Sequence, residues 1–260
     1  MITVLPPELV PPLNSEVRKV ATLRPNLVLA VLLPAVALVA SAVTALMAGP
    51  ANPKANPVTG GASVGLYLGI AAAILGAAVF GAYATGAEYR YRTMPVTALF
   101  TLDRDRLLAA KVLVVGACAL AAAAVVELVA LAALFGLGRG KTEFGLQLLT
   151  VLGGGLLATV CWALIGAGLA VILRQSTAAI VIVLAWLLLA EPLVWLVTGA
   201  LGMAGFVSLL PGSATIGSVM AGSFPDSDFL APTPAAMIVL LLWTGAVLGA
   251  GWWLARTREF

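Results

Sequence analysis

The sequence predicts an all-α membrane protein of six transmembrane helices, with both termini cytosolic. Composition is the first reason: of 260 residues, 62% are hydrophobic and 10% charged, against about 25% charged in a soluble domain. Charge-free windows are the second. No Asp, Glu, Lys or Arg falls between Arg24 and Lys54, Lys54 and Glu88, Glu143 and Arg174, or Asp228 and Arg256. Each window exceeds the roughly 20 residues that cross a bilayer. Two more, Lys111 to Arg139 and Arg174 to Asp226, hold one Glu each. The third reason is the sorting of basic residues. With both termini inside, 11 of 14 Lys and Arg lie on the cytosolic side, and Lys54, Arg139 and Lys141 remain outside, as the positive-inside rule requires.

Residues 1–13 read as an extended, proline-bound lead-in, because Pro6, Pro7, Pro11 and Pro12 interrupt them. They contain no short apolar stretch ending in a small-residue cleavage site, so the first span is expected to stay in the membrane. Asn14 to Arg24 interleaves Val17, Val20, Ala21 and Leu23 with Arg18, Lys19 and Arg24. It predicts an amphipathic helix on the inner membrane face, with Asn14 or Ser15 as N-cap and Glu16 in the first turn. Residues 1–24 thus form a cytosolic lead-in and interfacial helix.

The spans follow at about 25–47, 62–86, 112–137, 146–173, 177–199 and 235–255. The second carries Gly65, Gly69, Ala73, Ala77, Gly81 and Thr85, a small residue at every fourth place. That ridge lets a neighbouring helix approach closely. Ser176, after the tight turn Arg174-Gln175, is placed as the N-cap of the fifth span. Residues 200–234 hold two short apolar runs, Met203–Leu210 and Ile216–Met220, split by Pro211-Gly212. Neither run can cross a bilayer, and together they predict an external re-entrant segment covered by protein.

Several chemistries are excluded or weakened. There is no His, so His-dependent triads and histidine metal sites are absent. Cys118 and Cys161 fall inside spans and imply no disulfide framework. Gly136 to Thr142, GLGRGKT, has the look of a phosphate loop, but Phe135 stands where GxxxxGK[ST] needs Gly. Net charge is +3 and sorted by side, which gives no reason to expect nucleic acid.

Two acids remain inside the membrane. Glu127 lies sixteen residues beyond Lys111 and Glu191 fifteen beyond Ser176. At ~1.5 Å per residue, both sit ~22–24 Å from the inner face. An intramembrane carboxylate is a functional-site hypothesis by default, so both are candidates for the substrate pathway. The alternative is structural, a protonated Glu bonding nearby backbone at the break that Glu191-Pro192 makes.

The segment 88–106 holds Glu88, Arg90, Arg92, Asp103, Arg104, Asp105 and Arg106 around the apolar Met94-Pro95-Val96 and Ala98-Leu99-Phe100. A charged bracket with an apolar tip suits a groove on a cytosolic partner. Extended to Lys111, it resembles the segment between spans 2 and 3 of ABC-2 type transporter permeases. There an acid, Arg, a Gly-Thr pair, a Pro-Ser-Arg-like turn and a Lys opening span 3 recur. Glu88, Arg90, Arg92, Thr93, Arg106 and Lys111 match; Arg92 replaces the Gly, and Leu102 or Asp103 the later Pro. Arg174, Glu191-Pro192 and Leu210-Pro211-Gly212 resemble actinobacterial members.

The resemblance implies one permease domain over 1–260 in a bacterial cell membrane. It implies pairing with a second permease, identical or homologous, and with two ATP-binding cassette subunits that hold ATP and Mg. The chain itself would hold no cofactor and catalyse nothing. Coupling to the ATPase falls on Glu88, Arg90, Arg92, Thr93, Leu99, Phe100, Arg104 and Arg106. The pathway falls on Glu127 and Glu191, with helices sliding along Gly65, Gly69 and Gly81. Sparse acids in apolar walls favour export of a hydrophobic or amphipathic compound such as a drug, peptide or lipid-like molecule. A proton-coupled secondary transporter using Glu127 or Glu191 is the alternative reading.

Overall fold

Apolar windows this long have one cheap way to satisfy their backbone away from water, which is helix, and helix is what they form. A computed structural model describes residues 10–49, 59–91, 104–142, 144–224 and 227–257. Among them there is no strand. α1 (Val10–Thr22) is followed by α2 (Arg24–Met47), and a 3₁₀ turn (Gly61–Ser63) opens α3 (Val64–Arg90). α4 (Arg104–Leu137) and α5 (Leu146–Leu173) come next. The fifth window is α6 (Ser176–Ala185) and α7 (Glu191–Ala200), joined without interruption by one π turn, Trp186–Ala190. Short helices α8 (Ala204–Val207) and α9 (Pro211–Val219) precede α10 (Thr233–Thr257). Six helices, counting α6–α7 as one, are long and apolar enough to cross a membrane.

The π turn has a local cause. Pro192 brings no N–H to the helix, and the Glu191 N–H reaches back five residues to the Trp186 carbonyl. The chain thereby passes the proline without breaking.

Four boundaries differ from expectation. Pro11 and Pro12 do not keep the lead-in extended, because they fall in the first turn of α1, where a missing N–H costs nothing. Asn14 and Ser15 therefore lie inside the helix and do not cap it. Ser176 is likewise the first helical residue and makes no cap bond. α3 and α4 overrun the predicted spans to Arg90 and back to Arg104. Their charged end turns are helical but invisible to hydropathy.

α3 and α5 occupy the centre, and α2, α6–α7 and α10 are the most exposed of the long helices. The core is Leu66, Ile70 and Ile74 of α3 with Trp162 and Ile165 of α5, joined by Val126, Val183 and Leu240. Small residues bring these axes together. A Cβ on Gly65 would strike the Ala40 carbonyl and Ser41 of α2, and one on Gly69 would meet Ala37 Cβ at 2.9 Å. A Cβ on Gly81 would overlap the Ala163 carbonyl of α5; Gly166 answers it from the other side against Ala78. The ridge thus meets two helices in succession, α2 through its first half and α5 through its second.

Gly81→Ala should destabilise the purified protein by at least ~1–3 kcal/mol, since a backbone atom cannot give way. Gly245→Ala on α10, where nothing lies within 4 Å, should be neutral or stabilising by up to ~1 kcal/mol. Thermal unfolding of the two variants checks the contrast.

Candidate functional site

Two buried carboxylate centres sit at opposite reaches of the bundle. At the end where α1 packs, Lys111 projects inward from the second turn of α4 and is 3% exposed. A lone ammonium there would be prohibitive. Its Nζ donates to Glu16 Oε2 at 2.7 Å and Glu88 Oε1 at 2.9 Å. Lys19 Nζ donates to the same two residues, to Glu16 Oε1 at 2.6 Å and Glu88 Oε1 at 2.7 Å. Two carboxylates and two ammonium groups alternate, so the charges of these four residues balance. Burial alone would lower the Lys19 pKa, but the two carboxylates outweigh it and raise it above its ordinary 10.5.

The cluster joins three helices: Glu16 and Lys19 from α1, Glu88 from the last turn of α3 and Lys111 from α4. It also settles how α1 lies. The face turned to the bundle carries Glu16, Lys19 and Val20, while Val17 and Ala21 point away. This helix buries charge and leaves part of its apolar stripe outward. Asn26 Nδ2, donating to the Val20 carbonyl at 3.0 Å, fixes the turn into α2.

At the second centre, Glu191 is 2% exposed. Its Oε2 accepts from the Gly212 N–H at 2.8 Å and from Trp186 Nε1 at 3.1 Å. Its Oε1 accepts from the Ser213 N–H at 2.5 Å and Ser213 Oγ at 3.1 Å. Gly212 and Ser213 are in the first turn of α9, so the carboxylate takes the orphan N–H groups of a helix N-terminus. The fit is close: a Cβ on Gly212 would lie 2.5–2.8 Å from the carboxylate atoms.

α9 then runs along α5 toward that helix's start. Trp162 Nε1 donates to Thr215 Oγ1 at 2.8 Å, Ser218 lies against Gly154, and Gln147 Nε2 donates to the Ala221 carbonyl. Two more indoles hold the segment, Trp195 Nε1 to Ser213 Oγ at 2.8 Å and Trp243 Nε1 to the Leu209 carbonyl at 2.9 Å. The sequence reading passed over these tryptophans. Their signal is the indole N–H, which seeks an acceptor where water is scarce, and the Ser and Thr hydroxyls and helix-end carbonyls of residues 208–221 supply acceptors.

Glu127, 5% exposed, lies on α4 against Gly155 and Ile70. Among the described residues no hydrogen bond reaches its carboxyl. Glu127 and Glu191 share none of these neighbours.

The bracket residues divide. Glu88 is inside the ionic cluster, and Arg90 and Arg106 are exposed. Asp105 accepts from Trp252 Nε1 at 2.9 Å and pairs with Arg256, tying α4 to α10. Arg104 begins α4, with only its backbone described, and Arg92, Thr93, Leu99 and Phe100 lie outside the described residues. Among the described residues no group of three His, Cys, Asp or Glu side chains is placed to hold a metal.

Glu191→Gln turns an amide NH₂ toward N–H donors, replacing charged bonds worth about 1.5–3 kcal/mol each. Amides of 211–219 should then exchange hydrogen faster while those of α3 and α5 keep their protection. Unchanged exchange over 211–219 would remove Glu191 as the fastening of α9. Neither a family model nor a curated protein sequence matches this chain, so its function has to be argued from this arrangement.

Proposed function

We propose that the chain is the membrane-spanning permease subunit of an ATP-binding cassette exporter. In this reading the α1 end faces the cytosol, as the distribution of basic residues favours. Two ATPase subunits dock there, holding ATP and Mg, and a second permease packs alongside. The protein then lies in a cell membrane of bacterial type as one permease domain.

The observation that carries the reading is the ionic cluster of Glu16, Lys19, Glu88 and Lys111. It clamps together α1 and the two helix ends that flank residues 92–103. A push on that connection is passed to α3 and α4 as one piece, since no member can shift without exposing a buried charge. Buried clusters of this kind are bistable and do not deform smoothly, which suits a stroke-driven element.

The cargo pathway is assigned to the apolar flanks of the bundle and the cargo to hydrophobic or amphipathic compounds. Residues 200–234 act as the external gate, a re-entrant reading supported by the packing of α9 against α5 and α10. Glu191 latches it by capping α9.

One observation favours a second reading. Glu127 is buried with no polar partner among the described residues, a setting that suits a carboxyl exchanging protons. Proton-coupled transport through Glu127 would need no ATPase.

The separating experiment purifies the chain with whatever binds it and measures ATP hydrolysis. Co-purifying ATPase activity is expected, and Leu99→Asp or Phe100→Asp should abolish its stimulation by this chain while leaving membrane insertion intact. Transport persisting after ATP depletion, and lost in Glu127→Gln, would select the proton-coupled reading.

A further inference from the structure

Glu127 sits where α3, α4 and α5 meet. A Cβ on Gly155 of α5 would strike Glu127 Oε1 and would meet two side-chain carbons of Ile70 of α3 at 3.1 Å. The glycine therefore leaves the space that a side chain would take, and the carboxyl fills it. Glu127 is 5% exposed, and among the described residues no hydrogen bond or ion pair involves its carboxyl. The sealed, unbonded side-chain atoms of those residues include Asn26 Oδ1 and Thr85 Oγ1 but neither Glu127 oxygen. The carboxyl thus keeps a narrow opening through which a proton can come and go.

No cation is placed to neutralise it. α5 contains no charged residue, α3 none from Val64 to Ala87, and α4 none from Val112 to Leu137 except Glu127 itself. α2 has only Arg24 at its start, and α9, whose Ser218 lies against Gly154, has none. Lys111, sixteen residues earlier on α4, is engaged by Glu16 and Glu88. The other titratable groups inside these spans are Tyr67, Tyr83, Cys118 and Cys161, which carry no charge at neutral pH in their ordinary forms. An ionised carboxylate without a partner is too costly to bury in such surroundings. The packed bundle therefore holds this carboxyl un-ionised, whereas Glu191 is met by four donor contacts.

We infer that Glu127 is a proton-binding site gated by helix packing: it holds one proton while α3, α4 and α5 are closed around it. It releases that proton only when α4 parts from Gly155 and Ile70 and water reaches the carboxyl. On release the O–H bond breaks, its electron pair stays on the carboxylate oxygen, and the proton passes to water. Closing α4 on α5 takes a proton up again. The site deepens the proton-coupled reading of Glu127 yet needs no particular motor, since an ATPase-driven parting of the same helices would release the proton as well.

The test compares the full-length wild type with Glu127→Gln, which keeps the shape without the acid, in reversible unfolding from detergent micelles. In the unfolded chain an exposed glutamate ionises at about pH 4.3. Between about pH 5.5 and 7.5 the packed wild type then binds one more proton than its unfolded form, so its stability falls as pH rises. Groups common to both proteins cancel in the comparison. The unfolding constant of the wild type relative to Glu127→Gln should therefore rise about tenfold per pH unit. A ratio that does not change with pH would overturn the site. Infrared spectra of the wild type alone cover the case in which the variant fails to fold. At neutral pH they should contain the C=O stretch of an un-ionised carboxyl, and its absence would equally overturn the site. Where Glu127→Gln folds, that band should vanish; a band that remains belongs to another acid and removes Glu127 from the assignment. Neither measurement uses transport, so the site and the proton-coupled reading can fail separately.

Discussion

Everything at the α1 end depends on the neutralisation of Lys111. A lysine placed one or two turns inside an apolar helix cannot be left alone, because an isolated buried ammonium is far costlier than any single packing gain. Two carboxylates meet it, and their excess charge calls in Lys19. Replacing such a cluster by hydrophobic residues is often neutral or stabilising, so raw stability is a poor reason for its presence. What it supplies is register. A helix held only by grease slides and rotates at little cost, whereas α1 has one rotation that puts Glu16 and Lys19 both in place.

The same logic, with backbone donors in place of lysines, operates at Glu191. A helix starting in the interior of the bundle leaves N–H groups that water cannot reach. Glu191 supplies four acceptor contacts to that end of the molecule, and tryptophan indoles fasten the remainder of the segment. Between the two centres the body is assembled by glycine-mediated backbone contact along α3 and α5, which gives dispersion without long side chains. Charge at one end, a capped helix at the other and small residues between them make a body whose ends are fixed and whose middle is closely packed.

How much of this is legible in the sequence follows from range. The six spans are legible because each needs only a local run of apolar residues, and their number and order stand. The spacing of Gly65, Gly69 and Gly81 also foretells close approach, since a fourth-place ridge has only helix geometry behind it. The partners do not show. Nothing in NSEVRKVATLR says that Glu16 will meet a lysine ninety-five residues away, and its apolar spacing suggests the opposite face. Pro11 and Pro12 mislead for a related reason, because a proline is a breaker or a starter according to where the helix begins. For Glu191, the Pro192 beside it marks a disturbance, but which N–H groups it caps is set by the fold of residues 200–234. The tip of the bracket at Leu99 and Phe100 lies outside the described residues, so its role rests on residue pattern alone.

The central claim is that Lys111 positions α1, and Lys111→Met tests it most directly. The change keeps the volume of the side chain and removes the ammonium that Glu16 and Glu88 share, a loss of about 3–5 kcal/mol when one partner of a buried pair is removed. Hydrogen exchange on the intact protein should then show residues 10–22 losing protection while the cores of α3 and α5 remain slow. Protection of residues 10–22 at the wild-type level in Lys111→Met would mean that α1 is held by its apolar contacts, and the account of this end of the molecule would be wrong.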